Sequence, residues 1–203
     1  MFKGPTVLAA VRICAAAALA LAVTLPASAL ADPSFKRWTS QFREVALRAG
    51  VSATTFDTAF RAVPGPDLAT IEKMGRQAEF NTKVWDYLDS AASETQIRNG
   101  QDMKRRYGAV LAEVERRYGV DANTVLAVWG IETRYGARMG DHNVIGALAT
   151  LAWAAPRRKE FWTSELINAL KIVQGGHVDP ARMVGSWAGA MGHTQFMPSS
   201  WKG

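Results

Sequence analysis

Glu132 interrupts an apolar run, VLAVWGIETRYG at residues 125–136, and is the first group in the chain whose type and setting suggest chemistry. Val125, Val128, Trp129 and Glu132 stand at offsets of three, four and seven, so a helix would carry the carboxylate on the face that packs inward. Burial beside Trp129 and Val128 disfavours the charged form and would raise the pKa, leaving an acid able to protonate a leaving group. A positioned general acid contributes on the order of a hundredfold to ten-thousandfold in rate. The same pattern also suits an ordinary carboxylate near a helix end, paired with Arg134 at the edge of the core, and by itself favours that plainer reading.

Glycosidic cleavage is one reaction that needs such an acid, usually with a second carboxylate as base or nucleophile. Asp141, Glu160, Glu165 and Asp179 are the candidates, and none convinces. Glu160 and Glu165 lie on a helix with basic neighbours, where solvation or ion pairing explains them. Asp141 in GDHN and Asp179 before Pro180 read as caps. The histidines, His142, His177 and His193, are too widely spaced to suggest a metal site and suit surface or loop roles. No glycine stretch is followed by the lysine and serine of a phosphate loop, and Ser186 lacks a nucleophile elbow. We therefore expect neither a metal nor a cofactor. Arg157 and Arg158 could bind acidic groups or merely open a helix.

The elements that must position these residues read as almost entirely helical, because apolar residues recur at three and four. Phe35, Trp38, Phe42 and Val45 mark a first helix entered at Pro33-Ser34 and closed by Gly50. Ser52 caps a short second one with Phe56, Ala59 and Phe60 inward, broken by AVPGPD. Further helices are expected at about 82–91, at 93–118 as one or two exposed helices ending at Gly119, and at 122–135 behind an Asp121 cap with Gly136 as the stop. Residues 144–154 form an apolar helix ended by Pro156. Residues 158–174 form the next, with Phe161, Leu166, Ala169, Leu170 and Val173 inward. The glycine-rich tail from Gly185 reads as a shaped loop with short helical turns.

Residues 1–31 carry Lys3 and Arg12, then the uncharged run ICAAAALALAVTL, then small residues ending Ala29-Leu30-Ala31. This is the layout of a secretory signal peptide, too short in its apolar part to span a membrane comfortably, with cleavage expected after Ala31. Cleavage would remove Cys14, the only cysteine, whose context is not that of a lipid-modified residue, so no stable membrane anchor is expected. The remaining 32–203 suits one domain, and its net charge falls from +6 to about +4 once Lys3 and Arg12 are gone. That modest positive balance suits a polyanionic surface without deciding among partners.

Three segments, VWGIETRYG, ALATLAWAAPRRKEF and GSWAGAMGHTQFMPSSW, in this order and spacing, resemble the membrane-bound lytic murein transglycosylase B family; RQAEF and VWDYL do so as well. The resemblance covers essentially all of 32–203 and implies an α-helical, lysozyme-like fold. It implies an exported, periplasmic enzyme that cleaves the bond between N-acetylmuramic acid and N-acetylglucosamine in peptidoglycan, leaving 1,6-anhydromuramic acid ends without using water. The sugar's own 6-hydroxyl attacks, so one glutamate, by resemblance Glu132, serves as acid and then as base. Ser186 corresponds to a serine that polarises the reacting sugar, and Gln195 and Phe196 to groove residues. Arg157 and Arg158 would meet the peptide or lactyl group, and Tyr87 the glycan cleft. Family members continue past QFMPSS into a calcium-binding loop and further helices, so the resemblance describes 32–203 as the N-terminal part of a catalytic domain, truncated at its C-terminus. A hydrolytic muramidase and a noncatalytic peptidoglycan-binding remnant are the rival readings. Peptidoglycan strands are the expected partner of a monomer, with no nucleic acid.

Overall fold

In the computed structural model, residues 32–75 and 83–202 are described; the expected leader and the RQAEF segment lie outside them. The chain enters α1 (Pro33–Arg48) through Asp32, whose carboxylate accepts from the amides of Ser34 at 2.8 Å and Phe35 at 3.3 Å, with Pro33 in the first turn where its missing N–H costs nothing. Ser52 caps α2 (Ala53–Arg61) in the same way, by accepting from the Thr55 amide. Phe35 and Phe42 on α1 and Phe56 on α2 are buried and build an aromatic layer: Trp38 stacks on Phe42, Phe56 on Phe60, and Phe35 meets Trp153 edge-on. Ala46, not Val45, completes the inward face of α1.

That layer closes over α8 (Val144–Ala154), in which every residue from Val144 to Ala152 is buried. A helix apolar on all sides must lie at the centre of its domain, and α8 does so. Against it packs α9 (Lys159–Gln174), with Leu166, Ala169, Leu170 and Ile172 inward and Phe161 and Val173 half-buried. A second group comprises α5 (Glu94–Arg106), α6 (Gly108–Tyr118) and α7 (Ala122–Thr133). Gly119 stops α6 in a left-handed conformation, and Asp121 caps α7 by accepting from the Asn123 and Thr124 amides. None of the described helices is long and apolar enough to cross a membrane.

Two elements depart from expectation. α3 (Leu68–Gly75) follows the AVPGPD break at once; Asp67 starts it by accepting from the Ala69 and Thr70 amides, and only Thr70 is buried, so the segment has no apolar stripe to betray it. The tail forms a two-residue ribbon, β1 (His142–Asn143) antiparallel to β2 (Val184–Gly185), extended by bridges from Met191 to Gly185 and Phe196. α4 (Val84–Ala91), where a helix is expected, buries no residue.

Glu165, expected on a solvated face, is buried and accepts from the Ser199 amide at 2.9 Å, capping the short α10 (Pro198–Lys202). Its replacement by alanine should destabilise the fold by about 1–3 kcal/mol, because a part-buried N–H loses its acceptor. Glu160→Ala, exposed one turn away, should stay within about 0.5 kcal/mol. Urea unfolding of the pair checks this, and equal losses would refute the capping role.

Candidate functional site

The site is built where α7 ends. The helix stops at Thr133 rather than Tyr135, because Arg134, Tyr135 and Gly136 all take left-handed backbone, at φ 50°, 60° and 89°. Non-glycine residues seldom adopt this conformation, so tertiary contacts must hold it. Tyr135 supplies one. Its ring lodges between α5 and α7 against two glycines; a Cβ at Gly100 or Gly130 would stand 2.5 or 2.7 Å from its hydroxyl oxygen. Burial pushes the Tyr135 phenol up from its ordinary pKa. Thr133 supplies the other: its buried hydroxyl donates to the His193 carbonyl at 2.7 Å and accepts from the Gly136 amide at 3.0 Å. Trp129 Nε1 donates to His193 Nδ1 at 2.9 Å, so His193 is fixed to α7 by main chain and ring.

Glu132 therefore stands at the edge of a locked turn, and it is exposed. This corrects the expected burial. The inward face of α7 is Leu126, Gly130 and Thr133, about one residue round from the expected stripe, while Val128 and Ile131 are 41% and 54% exposed beside the carboxylate. Because α7 is apolar on nearly every side, periodicity could not select its buried face. Among the described residues Glu132 makes no hydrogen bond or ion pair, Arg134 included.

The loop that fastens to Thr133 through His193 carries three expected site residues. Ser186 is half-buried; its Oγ accepts from the Ala188 and Ala190 amides at 3.3 and 3.1 Å, which leaves the hydroxyl proton free to donate outward. Gln195, left-handed at φ 49°, donates from Nε2 to the Met139 and Gly192 carbonyls at 3.2 and 3.0 Å, so its amide nitrogen ties the loop to the segment after α7 and its oxygen remains available. Phe196 is 47% exposed, its backbone bridged to Met191.

Arg157 and Arg158 are exposed at the C-terminal end of α8. With Met74, Trp162 and Trp187 they line an open cavity of about 560 Å³, and the Arg158 guanidinium lies 4.0 Å from the Phe161 ring centroid. Trp187 joins this basic, aromatic wall to Ser186. Tyr87 on α4, half exposed, lines a smaller cavity of about 150 Å³ with Ile131 and Arg134, which flank Glu132. The expected residues thus fall on two walls, Tyr87 beside the end of α7 and the arginines beside Trp187.

The other carboxylates are engaged elsewhere. Asp179 accepts from the Ala181 amide and Glu165 caps α10, while Asp141 and Glu160 are exposed. His142, expected at the surface or in a loop, is partly buried, its side chain 8% exposed with Nδ1 2.6 Å from Asp67 Oδ2. Burial alone would raise the Asp67 pKa; hydrogen bonds from His142 and from the Thr70 amide and hydroxyl outweigh it and hold the carboxyl below its ordinary 3.8. Among the described residues no three His, Cys, Asp or Glu side chains could hold a metal ion. Thr133, His193, Asp67 and His142 escaped sequence reasoning: their partners lie roughly 60 to 75 positions away and no local pattern announces them.

The sequence pattern of the transglycosylase SLT domain family matches residues 34–203. Membrane-bound lytic murein transglycosylase B of Escherichia coli (strain K12) is 40% identical over 106 residues, which are 52% of this chain and 29% of that protein. SltB3 of Pseudomonas aeruginosa in complex with NAG-NAM-pentapeptide is similar at 47% identity with a TM-score of 0.80, covering 84% of this chain and 45% of that one. The Escherichia coli lytic transglycosylase Slt35 in complex with bulgecin A is similar at 29% identity with a TM-score of 0.72, covering 84% and 53%. The chain thus spans about half the length of these solved structures.

Two outcomes follow from the geometry. Gly130→Ala should lower stability by about 1–3 kcal/mol, since the new methyl meets Tyr135. Gly65→Ala, with nothing within 4 Å of the added carbon, should not; thermal melts of both test the wedge. Because the folded-state pKa of Asp67 is depressed, its stabilisation is fully present above pH 3.8 and is lost as pH falls through the lower folded value. Asp67→Asn should therefore be less stable than the parent near neutrality and lose less on acidification, as read from urea midpoints at pH 3 and pH 6. Parallel pH curves would refute the assignment.

Proposed function

The chain belongs to the transglycosylase SLT domain family, of lysozyme-like helical fold, and from that premise we propose that it is a peptidoglycan lytic transglycosylase. It cleaves the glycosidic bond between N-acetylmuramic acid and N-acetylglucosamine and leaves 1,6-anhydromuramic acid ends. The observation that carries this reading is an exposed Glu132, without a partner among the described residues, at the end of α7 before a locked turn and beside a loop that offers a serine hydroxyl, a glutamine carbonyl and an exposed phenylalanine. The complexes of SltB3 with NAG-NAM-pentapeptide and NAG-anhNAM-pentapeptide, at 47% identity, support both the substrate class and the anhydro product.

Glu132 gives its proton to the glycosidic oxygen as the C1–O bond breaks, and the N-acetylglucosamine side departs as an alcohol. The resulting carboxylate takes the proton of the muramic acid 6-hydroxyl as O6 bonds to C1. The glutamic acid is restored and no water is consumed. A second carboxylate is not required, which agrees with the separate engagements of Glu165 and Asp179. Ser186 donates its hydroxyl hydrogen bond to the reacting sugar, Gln195 accepts from a sugar hydroxyl, and Phe196 packs on a ring. Arg157 and Arg158 meet the lactyl or peptide carboxylates, and Tyr87 lines the cleft. We also place the protein in the periplasm as a monomer without a membrane anchor, exported by the 1–31 leader read from the sequence.

Mass spectrometry of products released from purified peptidoglycan tests this. The unmodified protein should yield anhydromuramyl ends, and Glu132→Gln should lose about a hundredfold to ten-thousandfold in turnover while still sedimenting with the polymer. Reducing ends would establish a hydrolytic muramidase instead. Binding without any product from the folded protein would leave a binding module.

A further inference from the structure

Asp67 lies outside the walls just described, yet more of the chain converges on it than on any residue of the reaction. Its Oδ1 accepts from the Ala69 and Thr70 amides at 3.0 and 3.2 Å, and its Oδ2 accepts from the Thr70 hydroxyl at 3.0 Å and meets His142 Nδ1 at 2.6 Å. An ionised carboxylate can only accept, so Nδ1 carries the proton. Nε2 faces the Lys73 ammonium at 3.1 Å, a group that can only donate, and is therefore the acceptor; Asp141 stands farther off, at 3.7 Å. The Asp67 amide donates to the Thr150 hydroxyl, anchoring the group to the buried α8.

What this group holds is the strand before Ser186 and the carbonyl after it. His142 pairs through its backbone with Gly185, and the single proton of the Thr70 hydroxyl is shared between Asp67 Oδ2 and the Trp187 carbonyl, 3.2 Å away. The backbones are close here: a Cβ on Gly140 would stand 2.1 Å from the Gly185 carbonyl oxygen and 2.8 Å from the Ser186 nitrogen. Ser186 is thus gripped from both sequence neighbours, and the two grips meet at one carboxylate. We propose that the Asp67–His142 pair is a positioning unit that fixes where the Ser186 hydroxyl presents its hydrogen bond, without itself touching the glycan. The role of Ser186 in that statement rests on the function proposed above.

The test uses His142→Phe, which keeps a ring and loses the donor, and His142→Asn, whose side-chain nitrogen occupies the place of Nδ1. Amide hydrogen exchange of residues 185–190 should quicken by about tenfold in His142→Phe, with α9 unchanged, and return toward the parent in His142→Asn. Turnover on purified peptidoglycan should fall by about tenfold in kcat with a smaller change in KM, and the same change in a Ser186→Ala background should add less than about twofold. Asp67→Asn, which retains a helix-capping oxygen, serves if His142→Phe fails to fold, with the same exchange pattern expected. Unchanged exchange at 185–190, or losses that multiply in full with Ser186→Ala, would overturn the proposal. Failure of the functional reading shows separately, as turnover that survives Glu132→Gln, and leaves the exchange result to decide the positioning role.

Discussion

The burial of α8 on every side is the constraint from which the rest of the molecule follows. A helix with Val144 to Ala152 wholly enclosed carries one polar side chain along that stretch, Thr150, and the other polar groups gather at its ends. At the N-terminal end, Asn143 caps the helix by accepting from the Gly146 amide and donates to the Pro180 carbonyl, while the Val144 amide donates to Met183. These bonds draw β2 alongside β1 and so deliver Ser186. At the other end, Pro156 forces the chain out and leaves Arg157 and Arg158 on the surface. Eleven residues of helix set these two groups about 16 Å apart, a span suited to an extended ligand contacted at more than one residue.

The one hydroxyl along the enclosed part of α8, that of Thr150, makes two bonds. The Thr150 hydroxyl donates to the Gly146 carbonyl and accepts from the Asp67 amide. The AVPGPD break is thereby fixed to the centre of the core, and α3 begins at a defined place. A turn rich in proline and glycine is otherwise an unreliable anchor, because its residues make few apolar contacts. Here a buried hydroxyl gives it a position, and the Asp67 carboxylate passes that position on to His142 and Trp187.

Local features were legible in the sequence where cause and effect are close along the chain. The caps Ser52 and Asp121 announce their helices because the amides they accept lie two or three residues away, and the apolar run at 144–154 announces its own helix. What was not legible depends on partners far away. Glu165 looks like a surface residue until Ser199 arrives at its oxygen. His142 looks like a turn residue until Asp67 does. The inward face of α7 was misread for a different reason: VLAVWGI is apolar at nearly every position, and a helix without polar alternation carries no information about its own rotation. Gly130 held that information, because the close approach of Tyr135 allows no side chain there.

The exposure of Glu132 changes how its chemistry must be understood. A buried acid is prepared by its fold, whereas an exposed one is prepared by what covers it. Val128 and Ile131 stand open beside the carboxylate, and a sugar laid across them would expel water from all three groups together. Exclusion of water strengthens any hydrogen bond the carboxyl group then makes. The fold has to supply only rigidity, and the left-handed turn wedged by Tyr135 and bolted through Thr133 to His193 supplies it. Burial would have closed the carboxyl group to a polymer; its exposed place at the end of α7 keeps it reachable and leaves the exclusion of water to the substrate.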